Sequence, residues 1–268
     1  MTKLNGIPEI KGAKLRFTVH VLRFTFFLLL LTACKTENPT WERIERDGVL
    51  RVGVDPTYPP FEIVDDSGLR GLDVDLAHAL AADLGLAVEF VYFGYDGLYD
   101  ALATGQVDVL ISALVIVPGQ MRDFAYSEPY FNAGEILIVP VDEMGIEGMA
   151  DLDGRILAVE LGALGHVEAN GWSRRLTNLT IQPHSSAAEA VTAVAQSQAD
   201  AAIVDAISGR LALMEWPSLK RIPEPVTVEP FALVVRIDDE RLLENLDASL
   251  ENLNETGQLN AIIANWLN

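Results

Sequence analysis

From residue 49 onward, short apolar runs alternate with stretches in which leucine and alanine return at helical spacing. Residues 49–55 read as a strand, and Pro56, Pro59 and Pro60 turn the chain after it. Leu72, Leu76, Leu80 and Leu84 recur every fourth residue, which predicts a helix over 72–84 stopped by Gly85. Residues 87–93 read as a strand, 95–104 as a short helix ended by Gly105, and 107–112 as a continuous apolar strand. Such runs, separated by helices, predict a parallel sheet covered on both faces. The second half repeats the pattern, with strands over 155–161, 179–182 and 201–204 and helices over 164–176 and 187–198. Between the halves, 133–141 is extended. Pro223, Pro225 and Pro230 mark the return, and 231–236 reads as a strand. Leu242, Leu243, Leu246, Leu250 and Leu253 form a helical stripe, which Gly257 interrupts before Leu259, Ile262, Ile263 and Trp266 resume it. Two extended crossings between two α/β units predict two lobes joined by a two-stranded hinge. Ligands of open α/β sheets sit beyond the carboxyl ends of the strands, so two facing sheets make a cleft able to close.

The first 34 residues follow another pattern. Lys3, Lys11, Lys14, Arg16 and Arg23, against Glu9 alone, precede a short apolar run over 24–31 and small residues before Cys34. This is the form of a secretory signal. The run is too short to span a bilayer, which needs about 20 residues. Cys34 is the only cysteine, which excludes a disulfide framework and a Cys-rich metal site. Leu31-Thr32-Ala33-Cys34 resembles the lipobox of bacterial lipoproteins. That resemblance implies removal of 1–33 and acylation of Cys34, each buried CH₂ adding about 0.8 kcal/mol of membrane affinity. Residues 34–40 then read as a short tether, and the body is expected to be extracytoplasmic, in the periplasm or at the cell surface.

Charge narrows the partners. The 268 residues carry 19 Lys+Arg against 39 Asp+Glu, a net charge of −20. Loss of 1–33, with five basic residues and one acidic, deepens this to −24. So acidic a chain lacks the cations that a nucleic acid requires, and its apolar half excludes general disorder. The length fits two domains or one large α/β domain.

Three segments resemble the family 3 solute-binding proteins, which serve ABC importers of polar amino acids. The first is Gly48-Val-Leu-Arg-Val-Gly-Val-Asp-Pro-Thr-Tyr-Pro-Pro-Phe-Glu62, followed by Gly71-Leu-Asp-Val-Asp-Leu76. The second comprises Tyr95-Asp-Gly-Leu98, Gly105-Gln-Val-Asp-Val-Leu-Ile-Ser112 and Tyr126-Ser-Glu-Pro-Tyr130, and the third is Asp200-Ala-Ala-Ile-Val-Asp205. The resemblance implies an α/β, periplasmic-binding-protein-like fold of two Rossmann-like lobes, with 41–138 and 231–268 in lobe 1 and 139–230 in lobe 2. It further implies a binding protein rather than an enzyme, a monomer without cofactor or metal, whose partners are a small solute, a membrane-bound ABC permease and the membrane itself. Aromatic stacking falls to Tyr58 and Tyr95, with Phe61 in the core. Asp55 stands where the ligand side chain is contacted, or caps its turn. Ser112 matches a position that bonds the ligand carboxylate. Asp205 matches the acid that receives the ammonium, or serves as a structural cap.

The sequence also departs from that family. Where a hydroxyl and an arginine clamp the ligand carboxylate, this chain has Val115 and Gln120, and the second-lobe Gly-Thr-Thr turn is Gly162-Ala163-Leu164. Losing one partner of a buried ion pair costs about 3–5 kcal/mol. Replacements for the arginine are Arg122 or, from the second lobe, Arg155, Arg174, Arg175 or Arg210; the alternative is that all are surface charges. The cleft retains Asp55, Asp205, Glu160, Gln120 and the tyrosines, a set that favours a cation. The expected solute is therefore an amine, or another molecule without a free α-carboxylate.

Two other functions fit the same fold. One is an enzyme resembling cyclohexadienyl dehydratase, with Glu160 and Asp205 as acid and base. The other is a lipoprotein that senses a ligand for a signalling partner; a membrane-bound sensor would continue into a transmembrane helix, and this sequence ends after its last helix. His78, His166 and His184 show no metal-ligand spacing.

Overall fold

The computed structural model describes residues 39–267; the expected signal at 1–33 and the lipidation at Cys34 lie outside them. Of the expected tether, Pro39 and Thr40 instead open the helix Pro39–Asp47, which buries Trp41 and Ile44. Proline suits a first helical turn because its missing N–H has no partner there to lose. From Thr40 onward the chain folds as one unit.

Two five-stranded sheets form its frame. The first has the order Ala87–Tyr92, Val49–Val54, Val109–Leu110, Val234–Arg236, Phe124–Tyr126; the second has Thr180–His184, Ile156–Glu160, Ala201–Asp205, Glu135–Pro140, Leu219–Arg221. In each, the first three strands are parallel and the fourth runs antiparallel to its neighbours. The sheets are thus mixed rather than wholly parallel. The reason is directional: each fourth strand follows a crossing that enters from the carboxyl ends of the parallel strands, so it runs the opposite way. The crossings themselves pair as a two-stranded ribbon, Phe131 opposite Phe231 and Asn132 opposite Pro230. The expected lobe boundary at 138 falls inside the strand Glu135–Pro140, which pairs wholly within the second sheet.

Helices cover both faces of each sheet. Leu72, Leu76 and Leu80 of the helix Leu72–Asp83 are fully buried with Leu50, Val52 and Val54 of the neighbouring strand. The helix Glu240–Glu255 adds Leu242, Leu246, Leu250 and Leu253 to the same side. On the opposite side, Leu98 and Leu102 meet Val107, Leu110 and Val234. Among the described residues, no helix is long and apolar enough to cross a membrane.

Candidate solute-binding cleft

The strand Val49–Val54 ends in a loop whose geometry is set by the next helix. Leu72 and Asp73 donate their amides to the carbonyls of Pro60 (3.0 Å) and Phe61 (3.1 Å), so the loop caps the first turn. Gly71 adopts φ 145°, and a Cβ there would lie 2.0 Å from the Phe61 oxygen. No other residue fits that approach. Phe61 is buried as expected, stacked on Tyr58 at 5.6 Å and edge-on to Phe131 and Phe231 of the hinge ribbon.

Beyond this loop lies a cavity of about 360 Å³. It brings together Asp55, Tyr58, Tyr95 and Ser112 with Thr57, Ala113, Val115, Glu229 and Phe231, and none of these is basic. Of three larger hollows, those of about 870 and about 540 Å³ touch none of the seven residues expected in the site, and one of about 420 Å³ is lined by Glu160 alone of them. Tyr58 and Tyr95 are 46% and 55% exposed, and both line the cavity, Tyr58 with one ring face covered by Phe61. Asp55 lines the cavity and also caps its turn, its Oδ1 accepting from the Thr57 amide (3.2 Å) and hydroxyl (2.7 Å). The Ser112 hydroxyl accepts from the Asp55 amide at 2.9 Å. Val115 puts an apolar wall in the cavity at the position where the resemblance implied a hydroxyl.

Three expected residues lie outside the cavity lining. Asp205 is the N-cap of the helix Ala206–Glu215, its Oδ1 accepting from Ile207 (3.1 Å) and Ser208 (2.8 Å). Its charge still reaches the cleft: burial, then Asp205 and Glu229, hold the Tyr58 hydroxyl above its ordinary pKa. Glu160 turns away and accepts from the Ala187 amide at 3.2 Å, at the start of the helix Ala187–Ala195. Gln120 ends the short turn Pro118–Gln120, with Oε1 buried and unpartnered.

Of the five candidate replacement arginines, Arg174 is exposed and the other four have contacts outside the cavity lining. Arg122 is a surface residue paired with Asp123 at 3.1 Å. Arg155 pairs with Asp200 and Glu143, Arg175 lies over Trp172, and Arg210 lies over Phe131 of the hinge ribbon. Burial, then the charge of Arg221, lowers the Arg210 pKa.

Two acids escaped the sequence reading. Glu229 lines the cavity from the return crossing; its signal was an acid directly before Pro230. Glu135 opens an otherwise apolar strand, and its signal was that single charge. Behind the cavity, Glu62 and Asp73 are fully buried, and Asp73 Oδ2 accepts from the Ala113 amide (2.6 Å) and the Tyr130 hydroxyl (3.0 Å). Burial and mutual repulsion raise the Glu62 pKa, and burial raises that of Asp73. Among the described residues, no cluster of His, Cys, Asp and Glu is set to hold a metal.

Comparison with known proteins bears on the family and the fold. The family described as bacterial extracellular solute-binding proteins, family 3, matches residues 50–268. A probable histidine-binding protein of Campylobacter jejuni is 28% identical over 75% of this chain and 78% of its own. An ancestral cationic amino acid solute-binding protein of known structure is 32% identical, covering 85% of this chain and all of its own, with a TM-score of 0.61. An ancestral cyclohexadienyl dehydratase is 25% identical over 84% and 95% of the two chains, with a TM-score of 0.73. The fold is accordingly periplasmic-binding-protein-like.

Proposed function

The chain belongs to the bacterial extracellular solute-binding proteins of family 3, and from that premise we propose that it captures a small cationic solute for an ABC importer. The cavity lining carries the reading: Tyr58 and Tyr95 beside Asp55 and Glu229, with no basic residue. Carboxylates pair with an ammonium, and each aromatic face attracts it by about 0.5–2 kcal/mol. Val115, Gln120 and Ala163 stand where a carboxylate clamp would be, so the solute is an amine or an amino-acid derivative without a free α-carboxylate.

Capture proceeds by closure of the two lobes about the paired crossings. A solute touching both lobes binds the closed form better, and only that difference moves the equilibrium. A shift from mostly open to mostly closed requires about 5.5 kcal/mol. The protein acts as a monomer, held at the extracytoplasmic face of a membrane by acyl chains on Cys34, and delivers the closed form to a permease. Isothermal titration of the protein in detergent with amines and amino acids tests the solute class. Amines are expected to bind; micromolar affinity for an ordinary polar amino acid such as glutamine overturns it.

The likeness to an ancestral dehydratase supports a second reading, in which Glu160 and Asp205 act as acid and base on a cyclohexadienyl acid. The absence of basic residues from the cavity lining weighs against such a substrate. Product formation that is lost in Glu160→Gln would establish the enzyme; no turnover by the wild-type protein would remove it.

A further inference from the structure

Glu135 lies outside the expected site, and its surroundings bear on which end of a solute the second lobe accepts. It stands opposite Asp205 in antiparallel register. It is only 5% exposed, and its Oε2 is buried without a hydrogen-bond partner. The carboxyl group lies against Gly165, where a Cβ would come 2.6 Å from Oε2. Gly165 is the second residue of the helix Leu164–Trp172, so its amide has no carbonyl partner within the helix. Such a first turn is a natural receptor for an anion. Ala163, at the N-cap, offers no side-chain acceptor to it. The chain's own carboxyl group therefore packs against the first turn of this helix on its sheet-facing side, beside the Ile203 carbonyl, and puts a negative charge there.

Resting on the solute-binding reading above, we propose that Glu135 is a specificity-determining residue that sets a negative charge against a solute carboxylate at this helix turn and so biases the site toward solutes lacking one. Its neighbours act in the same direction. Asp205 on the adjacent strand, Glu229 on the return crossing and Glu168 on the helix all bear on it with negative charge. Burial, then the charge of Asp205, pushes its carboxyl up to about 7, and the Gly165 amide opposes the rise. This acidic group extends to the cleft, since Glu229 lines the cavity and the charge of Asp205 reaches Tyr58 there. A carboxylate entering meets like charge, whereas an ammonium meets its opposite.

The test is calorimetric titration of the full chain in detergent with three matched pairs: arginine and agmatine, lysine and cadaverine, histidine and histamine. Glu135→Gln removes the charge at nearly constant shape, and Glu135→Ala also vacates the space beside Gly165. In both, the ratio of amino-acid to amine affinity is expected to rise about tenfold or more in at least one pair. The wild-type protein, moved from about pH 8 to about pH 5.5, is expected to shift the arginine-to-agmatine ratio the same way, because Glu135 then holds its proton. This arm depends on no variant folding. An unchanged ratio in every pair, equal weakening of both members, or no amino acid bound by any form overturns the proposal. A wild-type preference for arginine over agmatine overturns only the amine reading of the previous section, since the shift caused by Glu135 is scored separately.

Discussion

Glu62 and Asp73 bring two carboxyl groups into the interior behind the cavity, with no basic partner among the described residues. Both bind protons more tightly folded than unfolded, because burial disfavours the charged forms. Their contribution to stability is therefore fully present below the ordinary carboxylate range, near about pH 4, and is lost as pH rises toward the folded values. Glu62→Gln keeps the shape and removes one ionisation. Urea unfolding at several pH values should show a flatter decline from about pH 5 to 8, by up to about 1.4 kcal/mol per pH unit, with stability at the alkaline end equal to or above that of the wild type. An unchanged slope would mean that the pair holds no extra proton. At this scale the sequence marked chemistry better than position. Asp55, Tyr58, Tyr95 and Ser112 converge on one cavity, whereas Glu160 caps a neighbouring helix. Nothing in a single sequence says which way a side chain at a strand end will turn.

Elements tie the cleft to the core through the loop over 56–61 and the helix that follows. Gly71 accepts an approach to the Phe61 carbonyl that any side chain would block. Gly71→Ala should destabilise the protein by at least about 2 kcal/mol in urea unfolding and weaken amine binding, because the displaced loop carries Tyr58. Wild-type stability in that variant would show the loop to be freely adjustable. Leucine spacing made the helices Leu72–Asp83 and Glu240–Glu255 readable in advance. The helix Ala206–Glu215 was not: Gly209 interrupts its pattern, and its place depends on Gly209 closing onto Ile136 and Val204 of the second sheet. The strand Phe124–Tyr126 is three residues long and is defined by its pairing to Val234–Arg236, more than a hundred positions away.

For the whole molecule, the proposed lipid anchor has a direct consequence. Cys34→Ser should move the protein from the membrane fraction to the soluble fraction in fractionation with immunoblotting, since the single cysteine is the only acylation point of that kind. Retention of the variant on membranes would exclude the anchor. The two-lobed α/β plan, the hinge ribbon and the family were determined by the sequence alone, because strand and helix periods and proline-marked crossings are local properties that survive without partners. Tertiary structure alone decided the mixed direction of the sheets, the apposition of Glu135 and Asp205, and the carboxyl group beneath Gly165. Those depend on register between strands distant along the chain, and register is set by how whole faces bury together rather than by any one segment.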